Sequence, residues 1–194
     1  MSLIDRLWGT IFNPDTTLRQ LVAEKPLGQG IILYITVLII IMIINQGVDA
    51  LRPIEEALNL PAQFIWLLGS IGIIFSLFIL LLSAGFLSLL SEIIYKRGNS
   101  LGLLVGLCFA ALPGVFGPLL QYGSALLGLN WLGVIFSIIT LVWVVILQII
   151  VIRAAFRLNT GQALVIYFLP LLIFAITAIA VTSLLLVSSL PALI

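Results

Sequence analysis

The chain has 194 residues, of which 63% are hydrophobic and 8% charged, with a net charge of +1. Soluble chains carry about 25% charged residues, and a soluble domain of this length has no means of hiding so much apolar surface from water. The composition therefore points to an all-α integral membrane protein, since a bilayer solvates apolar side chains and helices satisfy their own backbone; the small net charge gives no basis for a nucleic-acid partner.

Residues 1–27 come first and are too polar to span. Ser2, with Asp5 three positions on, has the form of a capping box. Leu3, Ile4, Leu7, Trp8, Ile11 and Phe12 then share one helical face. An apolar stripe carrying a tryptophan suits a helix lying in the membrane interface. Asn13 and Pro14 stop that helix and can start another, with Asn13 as N-cap and Pro14 in the first helical position. This second helix runs to Glu24, ahead of Pro26. The alternative is that both helices simply pack on the bundle. No cleavable signal peptide is expected, because there is no early apolar run and no small-residue cleavage site before Pro26.

Residues 28–194 form the transmembrane domain. Five apolar stretches are long enough to cross: Gly28–Asn45, Gln63–Tyr95, Ser100–Leu127, Trp131–Ile152 and Gly161–Ser188. The second would reach about 50 Å at 1.5 Å per residue, so it must tilt or leave the membrane at its end. That end carries Ala84, Ser88, Ser91, Glu92 and Tyr95 as a small and polar stripe. The loops set orientation. Arg6, Arg19, Lys25, Lys96, Arg97, Arg153 and Arg157 all fall on one side of a five-span chain, and Arg52 alone on the other. The positive-inside rule then gives a cytoplasmic N-terminus and an outside C-terminus.

A weak internal repeat runs through these spans. Gly72-Ile73-Ile74-Phe75-Ser76 resembles Gly133-Val134-Ile135-Phe136-Ser137, and Arg97-Gly98-Asn99-Ser100 resembles Arg157-Leu158-Asn159-Thr160, at offsets of 61 and 60. The polar match has a physical cause, since Asn with Ser or Thr caps the helix that follows. The pattern describes a first helix followed by two helical hairpins. Two short loops converging on the same capping chemistry would look the same.

The third span is the most irregular. Pro113, Gly114, Gly117, Pro118, Gln121 and Tyr122 lie along it, and two prolines five residues apart free backbone carbonyls and kink the helix. Such a break is either a packing kink or, as in transporters, part of a path for a small solute. Gly102 and Gly106 make a GxxxG pair, and small-residue faces are compatible with a homo-oligomer.

Catalytic chemistry is poorly supplied. The chain has no histidine and a single cysteine, Cys108, so it lacks the commonest metal ligand and general base, and no intrachain disulfide forms. No nucleotide-binding or metalloprotease motif is present, and Ser76, Ser83 and Ser137 have nothing nearby to activate them. No catalytic residue, cofactor or metal site is expected, and mid-span charges that would couple a carrier to ions are missing. Two polar sites are expected instead. Glu92, Gln148 and Arg153 share one depth and would clamp the two hairpins together. Lys25, Lys96, Arg97, Arg153 and Arg157 would contact anionic lipid headgroups, unless they serve topology alone.

Taken with these features, Phe12-Asn13-Pro14, the short polar helix through Thr17, Leu18 and Glu24, and Lys25-Pro26 before the first span resemble the start of prokaryotic Yip1-domain membrane proteins. Ala111-Leu112-Pro113 in the third span and Asn159-Thr160-Gly161-Gln162-Ala163-Leu164 entering the last are similar too. The resemblance implies five spans and a non-enzymatic role in partner or lipid interaction and membrane organisation. Eukaryotic relatives bind prenylated Rab GTPases and act in vesicle budding, but their Asp-Leu-Tyr-Gly-Pro motif is not in this chain. Rab binding is therefore not implied, and a multi-pass protein of a prokaryotic plasma membrane is. The alternative function is a small transporter or channel with its path at the broken third helix.

Overall fold

The computed structural model describes residues 2–50 and 62–189. Within them the chain is helical, with no strand among the described residues. The helices are α1 Leu3–Phe12, α2 Pro14–Glu24, α3 Leu27–Ala50, α4 Ala62–Tyr95, α5 Ser100–Ala110, α6 Phe116–Leu126, α7 Asn130–Phe156 and α8 Thr160–Ser189, with a 3-10 turn at Leu112–Val115. Five segments are long and apolar enough to cross a membrane: α3, α4, α5 with α6 as one broken span, α7 and α8. The first span thus extends past Asn45, and Arg52 of the first loop lies outside the described residues.

The inside of the bundle is α5. Every residue from Gly102 to Ala110 is buried, and α5 packs on α2, α3, α4 and α7. Glycine makes the tightest approach possible. A Cβ on Gly106 would stand 2.4 Å from a methyl of Val151 on α7, and one on Gly102 would stand 2.9 Å from the Val22 carbonyl of α2. The GxxxG pair is therefore spent on contacts within the chain. The small stripe of α4 does the same from the other side: Ala84, Ser88 and Ser91 are buried, while Glu92 is exposed. The remaining surface of α4 presents Trp66, Ile71, Phe75 and Phe78 outwards. Such a face needs lipid as its solvent.

The third span breaks once. Pro113 opens the 3-10 turn, where the Gly114 N–H bonds the Ala111 carbonyl at 2.9 Å. Pro118 causes no second kink, because α6 starts at Phe116 and Pro118 falls in its first turn, where the missing N–H has no carbonyl to serve.

Three helices finish at one end of the bundle, and each is closed by a cation in the left-handed region: Lys25 (φ 53°), Lys96 (φ 57°) and Arg157 (φ 53°). That conformation costs a residue with a Cβ about 1 kcal/mol, and glycine would avoid the cost. A cation at a helix C-terminus meets the negative end of the dipole, which offsets part of it. Lys96 and Arg157 lie 61 residues apart, the same interval as Gly72 and Gly133. The following turns differ in detail. Asn99 caps α5 by accepting from the Gly102 N–H at 3.2 Å, whereas at Asn159 the cap is its own N–H donated to Gln162 Oε1 at 3.1 Å.

Candidate functional site

The N-terminal helices are built onto the cationic end. The capping box forms, with the Asp5 N–H donating to Ser2 Oγ at 3.2 Å and the Ser2 N–H to Asp5 Oδ2 at 3.0 Å. Asn13 behaves differently from the sequence reading. Its side chain does not cap α2; its N–H closes α1 on the Gly9 carbonyl at 2.8 Å, and Pro14 alone marks the start of α2. Amphipathic α1 turns its polar side inwards. Arg6 and Thr10 are buried, while Ile4, Trp8 and Phe12 are 75%, 65% and 59% exposed. Arg6 donates to Glu24 Oε2 at 2.5 Å and to Gln29 Oε1 at 2.7 Å, joining α1 to α2 and α3. Since α1 also touches α5 and the 3-10 turn, it lies against the side of the bundle and not over its end. An apolar outer face there matches a lipid neighbour.

Beside this hairpin lies a groove of about 810 Å³, lined by Arg19, Lys25, Asn99, Arg153, Arg157 and Asn159. Helix α2 supplies one wall and the C-terminal end of α7 the other. Asp15 pairs with both Arg19, at 3.2 Å, and Arg153. Lys25 and Arg157 have no acidic partner among the described residues. A second, polar cavity of about 360 Å³ adjoins it, sharing Lys25 and Asn99 and adding Ser88, Glu92, Lys96 and Gly98. The two together collect cations from the entry to the first span and from both hairpin turns. Arg97 stands apart from the groove wall and donates to the Arg157 carbonyl. Arg19, which the sequence counted only towards orientation, also lines the groove; the packing of α2 on α7 brings it there.

A family model of the Yip1 domain matches residues 8–182. The chain belongs to the Yip1 domain family. No curated protein and no solved structure matches it. This Yip1-domain protein is a multi-pass membrane protein, and its apolar spans contact a lipid bilayer.

The Yip1-domain bundle does not bring Glu92, Gln148 and Arg153 together. Gln148 accepts from the Tyr167 hydroxyl at 2.8 Å, Arg153 pairs with Asp15, and the Glu92 carboxylate has no hydrogen bond or ion pair among the described residues. Helix α5 packs between α4 and α7 and keeps Glu92 from the other two. The hairpins are joined at their turns by other groups: Arg97 on the Arg157 carbonyl, and Asn99 Nδ2 on the Ala155 carbonyl at 3.5 Å.

The broken third span of the Yip1 domain is packed. Pro113 is buried, and the turn it opens lies against α3, α6 and α7. Gly117 faces Thr140, Gln121 faces Gly133, and Tyr122 faces Gly47, each within 3.6 Å of where a glycine Cβ would stand. None of Pro113, Gly114, Gly117, Pro118, Gln121 and Tyr122 lines the groove or its neighbouring cavity.

Proposed function

We propose that this Yip1-domain protein works without catalysis, by gathering anionic lipid headgroups at the cytoplasmic leaflet of a prokaryotic plasma membrane and so organising the lipid around it. The N-terminus is cytoplasmic, the C-terminus outside, and α1 lies in the inner interface with Trp8 and Phe12 towards lipid. The observation that carries this reading is the convergence of Lys25, Arg153, Arg157 and Arg19 on one groove, with Lys25 and Arg157 unengaged by acids among the described residues. Cations near an anionic surface contribute about 1 kcal/mol each. Three helix ends holding cations in a backbone conformation better suited to glycine support the same reading, because the charge is kept despite its strain.

The test is native mass spectrometry of the purified protein with phosphatidylglycerol or phosphatidylcholine. Wild type should retain phosphatidylglycerol in preference, and Lys25→Gln with Arg157→Gln should reduce that preference on the order of tenfold. Equal retention of both lipids by wild type and variant would end the proposal.

A further inference from the structure

A further cavity, of about 380 Å³, lies within the membrane-spanning part and is lined by Tyr34, Ser76, Ser83, Gln148, Tyr167 and Pro170. Five helices contribute to it: α3, α4, α5, α7 and α8. Its size falls within the range of small-molecule sites.

The lining is chemically unlike the rest of the spans. In the spans most serines and threonines satisfy the hydroxyl on a carbonyl one turn back, as Thr36, Ser70, Ser137, Thr140, Thr177 and Thr182 do, while Ser91 near the end of α4 is left buried and unpartnered among the described residues. At this cavity they do not. Ser76 bonds the Tyr34 hydroxyl across two helices at 2.8 Å, and Ser83 bonds nothing among the described residues. Gln148 spends its carbonyl oxygen on Tyr167 at 2.8 Å, which leaves both donors of its amide nitrogen without an acceptor among the described residues. That nitrogen is not sealed in protein, since it is absent from the buried unpartnered atoms. Pro170 has no N–H for the Ile166 carbonyl. In hydrocarbon, polar groups without partners cost several kcal/mol each, so a cavity that concentrates them calls for a polar guest.

The guest's character follows from the walls. Among the described residues no Asp, Glu, Lys or Arg lines the cavity, so the guest's polar part is neutral there. An amide N–H₂ and a hydroxyl ask for an acceptor, and apolar walls at Ile79, Leu80, Phe86, Leu87 and Leu107 ask for a chain. Ile79 and Phe86 are 44% and 49% exposed, so the cavity opens sideways into lipid. Gln148 lies eight residues before the end of α7, about 12 Å in from the cationic end, and Tyr167 seven residues into α8, about 10 Å in. With a headgroup layer of about 6 Å per side, this is the upper hydrocarbon, next to the ester level of one leaflet.

We infer that this cavity is a binding site for a bilayer lipid, taking one acyl chain against α4 and hydrogen-bonding its ester carbonyl to Gln148 Nε2, with Ser83 as a second donor. The inference does not depend on the cationic groove, which lies on other helix faces.

The test uses uncharged membranes, so that the groove plays no part. Full-length protein is reconstituted in phosphatidylcholine nanodiscs with a phosphatidylcholine probe bearing a diazirine near its ester. Cross-linked peptides are mapped while ester-linked or ether-linked phosphatidylcholine competes. Labelling should concentrate on residues 76–87 of α4 and 148–170 of α7 and α8. The ester competitor should displace the probe several-fold better than the ether one. Gln148→Leu should abolish that preference, and Ser83→Ala, which leaves the Tyr167 bond intact, should weaken it. The ester-over-ether comparison on wild type needs no variant. Labelling elsewhere, or equal competition by the two lipids, would overturn the inference and leave water as the partner of Gln148.

Discussion

Asp15, in the first turn of α2, forms an ion pair with Arg153, in the last turns of α7, across 138 residues of sequence. The pair fastens the N-terminal hairpin to the bundle and at the same time holds one of the cations that line the basic groove. Asp15 therefore competes with any anion for Arg153. Both side chains remain partly solvated, so the pair contributes about 1 kcal/mol. Asp15→Asn should lower the melting temperature in detergent by a few degrees yet raise phosphatidylglycerol retention, because Arg153 is released. A fall in both would place Asp15 in structure alone.

Lys25 offers the reverse trade. It holds φ 53° at the end of α2, where glycine would be relaxed. Lys25→Gly should leave stability within about 1 kcal/mol of wild type, or slightly above it, while phosphatidylglycerol retention falls. Chemical denaturation and lipid retention on the same preparation check the two halves separately.

The crossing of α5 and α7 rests on Gly106. A methyl group there would stand 2.4 Å from a Val151 methyl, and the β-branched valine has little freedom to turn away. Gly106→Ala should cost about 1–3 kcal/mol, as overpacking does, and Val151→Ala in the same chain should recover much of it. A thermal-shift comparison of the single and double variants measures this.

The Asp5 carboxyl is held below its ordinary value of 3.8, chiefly by the Ser2 side chain and then by the Ser2 N–H. A lowered folded-state pKa stabilises the helix start fully above 3.8 and loses that contribution as pH falls through the folded value. Protection of the Asp5 amide, measured against the intrinsic exchange rate at each pH, should therefore fall only below about pH 4. Ser2→Ala should remove that protection at neutral pH. No acid-induced change in wild type would contradict the capping role.

Much of the fold is written locally and was readable as such. Apolar runs, the capping box of Ser2 and Asp5, Pro14 at the start of α2 and the break at Pro113 each depend on a few neighbouring residues. The site was less readable because it depends on which way each helix faces. Gln148 and Arg153 are five residues apart on α7, which is about 7.5 Å of rise and about 140° of turn, so one meets Tyr167 and the other Asp15. The span each residue belongs to came from sequence; what it faces came only from packing, with α5 standing between α4 and α7. The two prolines of the third span teach a similar lesson. Pro113 breaks the helix and Pro118 does not, because the first break lets α6 begin just ahead of the second proline.

The central claim is that the cationic end of a five-span Yip1 domain faces the cytoplasm. Cysteine labelling tests it most directly, in a Cys108→Ala background with single cysteines at Gly161, where an added side chain meets nothing, and at Leu127, which is 76% exposed at the opposite end. A membrane-impermeant maleimide applied to intact cells should label Leu127→Cys and leave Gly161→Cys untouched until the membrane is opened. Labelling of Gly161→Cys in intact cells would put the basic groove outside and contradict the account.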